Sequence, residues 1–257
     1  MCKAAICAVA VLTLAVCPVA MADYYGGRMN YSRIGGYYSG NGGEFTLSER
    51  SGYSYLSNSA YADVAKNRGS TTNSFQTFCM EGGEYVVQPM DIVVSTTAIN
   101  EATGAITGSG SHAVKGSLTY GDNLEAETAY LYYMFATGQL DKYDYTGSDR
   151  DTDAGDLQNV IWTFEGEYSG SLSTQAQGWK SAAEAAVADP DVWGDTIGPV
   201  RVLNMWAPDH SWLCDGGTPP ENYRKQDQLY LIPAPGALVL GMIGLGMVGW
   251  VRRRRLA

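Results

Sequence analysis

Hydrophobic residues fall into three regimes along the 257-residue chain. Two uncharged, mainly apolar runs, 4–19 and 236–251, bracket a middle in which apolar and polar positions alternate or recur with helical spacing. In that middle, Phe75, Phe78 and Tyr85-Val86-Val87, with Gly82-Gly83 as a turn, predict strands over 74–87. Similar runs follow at 91–99 and 113–120. The period then changes. Ala129, Leu131, Tyr132, Met134 and Phe135 predict a core-packed helix over 127–140, ending near Gly138. A polar loop over 141–155 leads to a second helix over 156–165, with Asp153 or Asp156 as N-cap. A third helix is expected over 179–188, closed by Pro190, and late strands at 197–206 and 228–232. Strands, a helical block and strands again indicate a single α+β domain. Residues 23–45, rich in Tyr, Gly, Ser and Asn, show no period and read as a flexible arm or irregular edge strands.

The flanking runs carry addresses. Lys3, the apolar stretch and Ala20-Met21-Ala22 before Asp23 match the n-region, h-region and cleavage site of a secretory signal peptide over 1–22. Leu14-Ala15-Val16-Cys17 resembles a lipobox only loosely, because Val16 stands where a small residue belongs. At the other end, Pro233-Ala234-Pro235 breaks any preceding element, since proline lacks an N–H and locks φ. The uncharged run 236–251 is shorter than the roughly 20 residues a bilayer usually needs, but it spans if flanking residues snorkel or the membrane thins. Arg252, Arg253, Arg254 and Arg255 hold that end in the cytoplasm, which places 23–232 outside it. This tail, 233–257, resembles the PEP-CTERM sorting signal, with Ala234 where the family usually has glutamate. The resemblance implies export through the Sec machinery, then cutting near the proline motif by an exosortase, a membrane transpeptidase. The destination it implies is the cell surface or extracellular matrix.

Charge narrows the partners. All 27 acidic residues lie within 23–232, with 12 of the 17 basic ones, for a net charge of −15 there. Such a domain is repelled by phosphate backbones and anionic membrane surfaces, which excludes nucleic acid and leaves neutral polysaccharides, cations or basic protein surfaces. Cys2, Cys7 and Cys17 leave with the signal peptide, so Cys79 and Cys214 remain. Two cysteines in an exported chain commonly pair, and a Cys79–Cys214 disulfide is one open reading.

Two segments carry the other. Phe78-Cys79-Met80 sets a cysteine in an aromatic-flanked strand. In Leu157-Gln158-Asn159-Val160-Ile161-Trp162, Gln158 and Trp162 lie four apart on one helical face. Together the segments resemble the thioester domains of bacterial surface adhesins. The signature of that family is an aromatic-Cys-hydrophobic strand followed downstream by a hydrophobic-Gln helix ending in Trp; Val160 stands where alanine is common. The resemblance implies that Cys79 attacks the Gln158 carboxamide, ammonia leaves, and an internal thioester remains for a partner lysine amine. Phe78 and Trp162 would shield it. A helix N-terminus beside the pair would lower the cysteine pKa and stabilise the oxyanion.

Other chemistry is weakly signalled. Asp149, Asp151, Asp153 and Asp156 begin like a calcium loop, but Gly155 comes one place late and Val160 takes the place of the closing glutamate. A solvated, helix-capping loop fits better. Glu165 and Glu167, two apart, do not face each other as glycosidase carboxylates do. His112 and His210 are isolated, so neither metal nor cofactor is expected. The expected function is therefore a non-enzymatic surface adhesin with a Cys79–Gln158 thioester. The alternatives are a non-covalent structural protein of the envelope or extracellular matrix stapled by Cys79–Cys214, and, less favoured, a secreted glycan hydrolase.

Overall fold

A computed structural model describes residues 24–39, 42–66, 73–82, 86, 89–99, 113–115, 120–207 and 224–233. The signal peptide, Cys214, both histidines, Ala234, Pro235, the 236–251 run and the terminal arginines lie outside them. No helix among the described residues is long and apolar enough to cross a membrane.

The elements run β1 (Tyr24–Ser32), β2 (Tyr38–Ser39), β3 (Gly42–Gly43), β4 (Phe45–Ser54), β5 (Ser74–Thr77), β6 (Met90–Ser95), β7 (Thr97–Ile99), β8 (Ala113–Lys115) and β9 (Tyr120–Asn123). They continue with α1 (Ala126–Ala136), α2 (Arg150–Phe164), α3 (Thr174–Ala188), β10 (Val200–Trp206) and β11 (Arg224–Leu231). The architecture is α+β: a six-stranded antiparallel sheet in the order β11-β10-β6-β1-β4-β5, with three α-helices among the described residues. Strands β7, β9 and β8 form a small second sheet, and β2 pairs with β3.

The two edges of the large sheet meet. Beyond β5 the chain crosses to β11, where Leu229 N–H donates to Phe78 O at 3.1 Å and Met80 N–H to Asp227 O at 3.0 Å. Cys79 and Gln228 form an antiparallel bridge between them. Joined edges leave no exposed ladder at this seam. Cys79 therefore sits in a short bridge just past β5, not inside the regular strand that the sequence pattern predicts.

Inward residues of the sheet, among them Met29, Leu47, Phe75, Ile92 and Val202, are buried with Leu131, Phe135 and Ile161 of the helices. Phe78 packs edge-on against Phe135, ring centroids 4.9 Å apart. Such a pair adds about 0.5–1.5 kcal/mol beyond its buried area.

The structure differs from the sequence pattern at β1, at the starts of the second and third helices, and at β4. Residues 24–32 are neither a flexible arm nor an edge strand. β1 pairs with β4 on one side and β6 on the other, with Met29 and Tyr31 pointing into the core. Its Gly and Tyr content hid a strand whose inward positions are correctly spaced. The second helix begins at Arg150, with Asp149 as N-cap, rather than near Asp156. Its first turns look like polar loop because Arg150 and Asp153 are polar, yet both are buried. The third helix likewise starts early, at Thr174, where Ser173 Oγ accepts from the Ala176 N–H at 3.1 Å. β4, in a stretch for which the pattern predicts no element, lies between β1 and β5.

Candidate functional site

The bridge past β5 and the middle of α2 meet at the two residues that the motifs single out. Gln158 is in the third turn of α2 and is 1 % exposed; Cys79 is fully buried and pairs with no other cysteine among the described residues, Cys214, its possible disulfide partner, lying outside them. The Gln158 carboxamide is clamped on the Cys79 peptide unit. Cys79 N–H donates to Gln158 Oε1 at 2.9 Å, and Gln158 Nε2 donates to Cys79 O at 2.8 Å. A third bond comes from Gly43 N–H, which reaches Oε1 at 3.4 Å.

The β2–β3 hairpin makes that third bond possible by lying very close to α2. A Cβ on Gly42 would fall 2.3 Å from Gln158 Cγ, and one on Gly43, whose φ is +100°, 3.0 Å from the Ala154 backbone. Only glycine fits this approach. Gly155 on the helix side completes the seam, since a Cβ there would meet Ser39 Oγ at 2.6 Å.

A buried ion pair sets the same register. Arg150 Nε donates to Glu44 Oε1 at 2.6 Å and Nη2 to Glu44 Oε2 at 2.7 Å, in the bidentate geometry arginine favours with carboxylates. Arg150 Nη2 also donates to Val64 O at 2.8 Å, Nη1 to Tyr145 O, and Tyr143 OH to Glu44 Oε1 at 2.6 Å. Glu44 directly follows Gly43, so the pair pins the hairpin to the start of α2.

The sulfur has its own partner. Gln228 Nε2 donates to Cys79 Sγ at 3.0 Å. Burial pushes the Cys79 thiol well above its ordinary value; the Gln228 hydrogen bond opposes this, the Glu81 carboxylate adds to it, and Arg33 opposes it. Among the described residues no helix N-terminus faces the pair, contrary to the sequence expectation. Gln158 is mid-helix, where backbone N–H groups are already committed. The donors on Oε1 are instead the N–H groups of Cys79 and Gly43, and the thiol is raised rather than lowered.

Beside the amide is a recess of about 390 Å³, lined by Gln158 with Ser39, Gly42, Gly155, Asn159, Trp162 and Tyr168. Trp162, one turn beyond Gln158 and 7 % exposed, forms part of its wall. Phe78 is fully buried with its ring on Phe135 and is not among the residues that line the recess. The arrangement brings a buried cysteine, a carboxamide fixed by hydrogen bonds and two N–H donors on its oxygen together at the inner end of this recess.

The remaining candidates do not assemble. Asp153 accepts from Asp144 N–H at 2.7 Å and from Gln175 Nε2 at 2.8 Å, and Asp156 accepts from Ser173 Oγ. These carboxylates tie α2 to its flanking loops, and no group of three metal-ligating side chains occurs among the described residues. Glu165 accepts from Glu125 N–H at 3.4 Å and Glu167 from Gly82 N–H at 3.5 Å, each turned to a different segment.

Gly42, Gly43, Glu44, Arg150 and Gln228 were not singled out from sequence. Only the Gly42-Gly43 pair left a trace, as a tandem glycine ahead of a strand. Comparison with protein-family models, curated proteins and solved structures finds no match.

Proposed function

We propose that this protein is an exported, exosortase-sorted surface adhesin whose domain forms an internal thioester between Cys79 and Gln158. The observation that carries the reading is the clamp. Both atoms of the Gln158 carboxamide are bonded to the peptide unit of the cysteine that would attack it. In the reaction, Cys79 Sγ bonds to Gln158 Cδ, the Cδ–Nε2 bond breaks, and the thiol proton leaves with nitrogen as ammonia. Cys79 N–H and Gly43 N–H stabilise the charge on Oε1 during the step. A lysine amine of an extracellular partner then enters by the recess, bonds to Cδ and returns the electron pair to sulfur. The product is a covalent amide and a free Cys79. The signal-peptide-like start, the PEP-CTERM-like tail with a membrane helix over about 236–251, and the strongly acidic domain support a surface location and a basic protein partner or polysaccharide.

Intact mass of the purified mature protein tests this. A closed thioester makes it about 17 Da light. Methylamine adds to the wild type and not to Cys79→Ala or Gln158→Ala. A wild-type mass equal to the sequence mass, with no methylamine uptake, refutes the reading; a mass about 2 Da light selects a disulfide instead.

A further inference from the structure

One polar group at the sulfur has no role in the reaction as written. Gln228 is fully buried on β11; its Nε2 donates to Cys79 Sγ, while its Oε1, also buried, has no hydrogen-bond partner among the described residues. A half-satisfied carboxamide in a core lowers stability, and an apolar side chain of the same shape would be tolerated better. Its placement follows from the fold. The Cys79–Gln228 bridge sets the two side chains opposite each other across the seam that joins the sheet edges.

We propose that Gln228 is the donor that holds Cys79 Sγ for attack on Gln158 Cδ and stabilises the negative sulfur as the thioester closes and reopens. This rests on the thioester reading. On closing, the sulfur is most negative as its proton leaves and before the Sγ–Cδ bond is complete. On reopening by an amine, the same charge returns as the Sγ–Cδ bond breaks and the amine's proton passes to sulfur. A donor at Sγ therefore speeds both directions. The surrounding charges do not supply this help cleanly. Glu81 disfavours the thiolate and Arg33 favours it.

The test uses the whole mature protein. Ammonia reopens the thioester to thiol and carboxamide; after desalting, closure is followed by intact mass as a loss of about 17 Da. Gln228→Met, similar in size and unable to donate, closes about tenfold to hundredfold more slowly. Its urea midpoint stays level or rises, because the orphan carbonyl is gone. Gln228→Glu, which sets a carboxylate against the sulfur, closes more slowly than wild type and needs higher pH. Closure of both variants at the wild-type rate overturns the proposal and leaves the thioester standing. Slow closure with a lowered urea midpoint in Gln228→Met also overturns it, since packing then explains the loss. A wild-type protein that is never light removes the thioester and this role together.

Discussion

Gly42→Ala is the sharpest probe of the hairpin's part in the chemistry. Its Cβ would lie 2.3 Å from Gln158 Cγ and 3.0 Å from Trp162 Cη2. Carbon atoms pack comfortably at about 3.5–4.0 Å, so the hairpin and α2 must separate by about 1 Å. Gln158 cannot swing away cheaply, because both ends of its carboxamide are bonded to Cys79. The movement therefore falls on the hairpin. Gly43 N–H already sits 3.4 Å from Oε1, and a further displacement of that size takes it out of hydrogen-bond reach. Losing one oxyanion donor costs about 2.7–4 kcal/mol in the transition state, or roughly 10²–10³ in rate. The overpacking itself costs about 1–3 kcal/mol of stability, less than the roughly 5–15 kcal/mol that holds a typical domain. The variant should fold, keep Cys79 and Gln158 side by side, and close its thioester slowly. Mass-followed closure after ammonia treatment, with a urea unfolding curve, reads both effects. Gly35→Ala is the control, because a Cβ there meets nothing within 4 Å. Closure of Gly42→Ala within about threefold of wild type, against the loss expected for an oxyanion donor, would show that Gly43 N–H does not serve the oxyanion.

Arg150→Met leaves Glu44 buried with its guanidinium partner removed, and should cost about 3–5 kcal/mol in urea unfolding. Glu44→Leu combined with Arg150→Met should recover much of that loss, and a single-variant cost of about 1 kcal/mol or less would mean the pair behaves like an exposed one. The pH dependence of closure follows from the raised Cys79 thiol. A raised pKa keeps sulfur protonated at neutral pH, so the thiolate fraction, and with it the closure rate, should climb about tenfold per pH unit from pH 6 through the ordinary thiol range near 8.5. A plateau below that range in stopped-time mass measurements would contradict a thiol raised by burial.

Legibility in the sequence divided along a physical line. The proximity of Cys79, Gln158 and Trp162 is legible because each belongs to a short segment with its own local pattern, and the helix spacing of Gln158 and Trp162 is unaffected by α2 beginning six residues before the expected start. The start of that helix is not visible in the pattern because Arg150 and Asp153 are polar residues turned inward. Composition marks them as loop, whereas their partners Glu44 and Gln175 come from elsewhere in the chain. Gln228 was invisible for the same reason. In Gln226-Asp227-Gln228 nothing separates the residue on the sulfur from its neighbours until the β5–β11 seam is closed. β1 was hidden by composition, since glycine and tyrosine suggest a loose arm, while Met29 and Tyr31 alternate inward as a strand requires.

On the thioester reading, the geometry accounts for how one site could both make and keep a reactive bond. Forming the thioester asks for a negative sulfur, which burial opposes; keeping it asks for the absence of water, which burial supplies. A polar, well-hydrated site would resolve the first demand and fail the second. Here the conflict is met by neutral hydrogen bonds rather than by charges or a general base. The N–H groups of Cys79 and Gly43 face the oxygen, and the carboxamide of Gln228 faces the sulfur. Neutral donors stabilise charge only while it exists and add little net charge to attract water when it does not. They also need rigid placement, which accounts for the cost the fold accepts around them: glycines at a close-packed hairpin, a buried Glu44–Arg150 pair to fix its register, and an orphan carbonyl on Gln228. Closure is thus expected to be slow and to happen once after folding, while reopening is left to an amine that can enter the recess between Gly42 and Trp162.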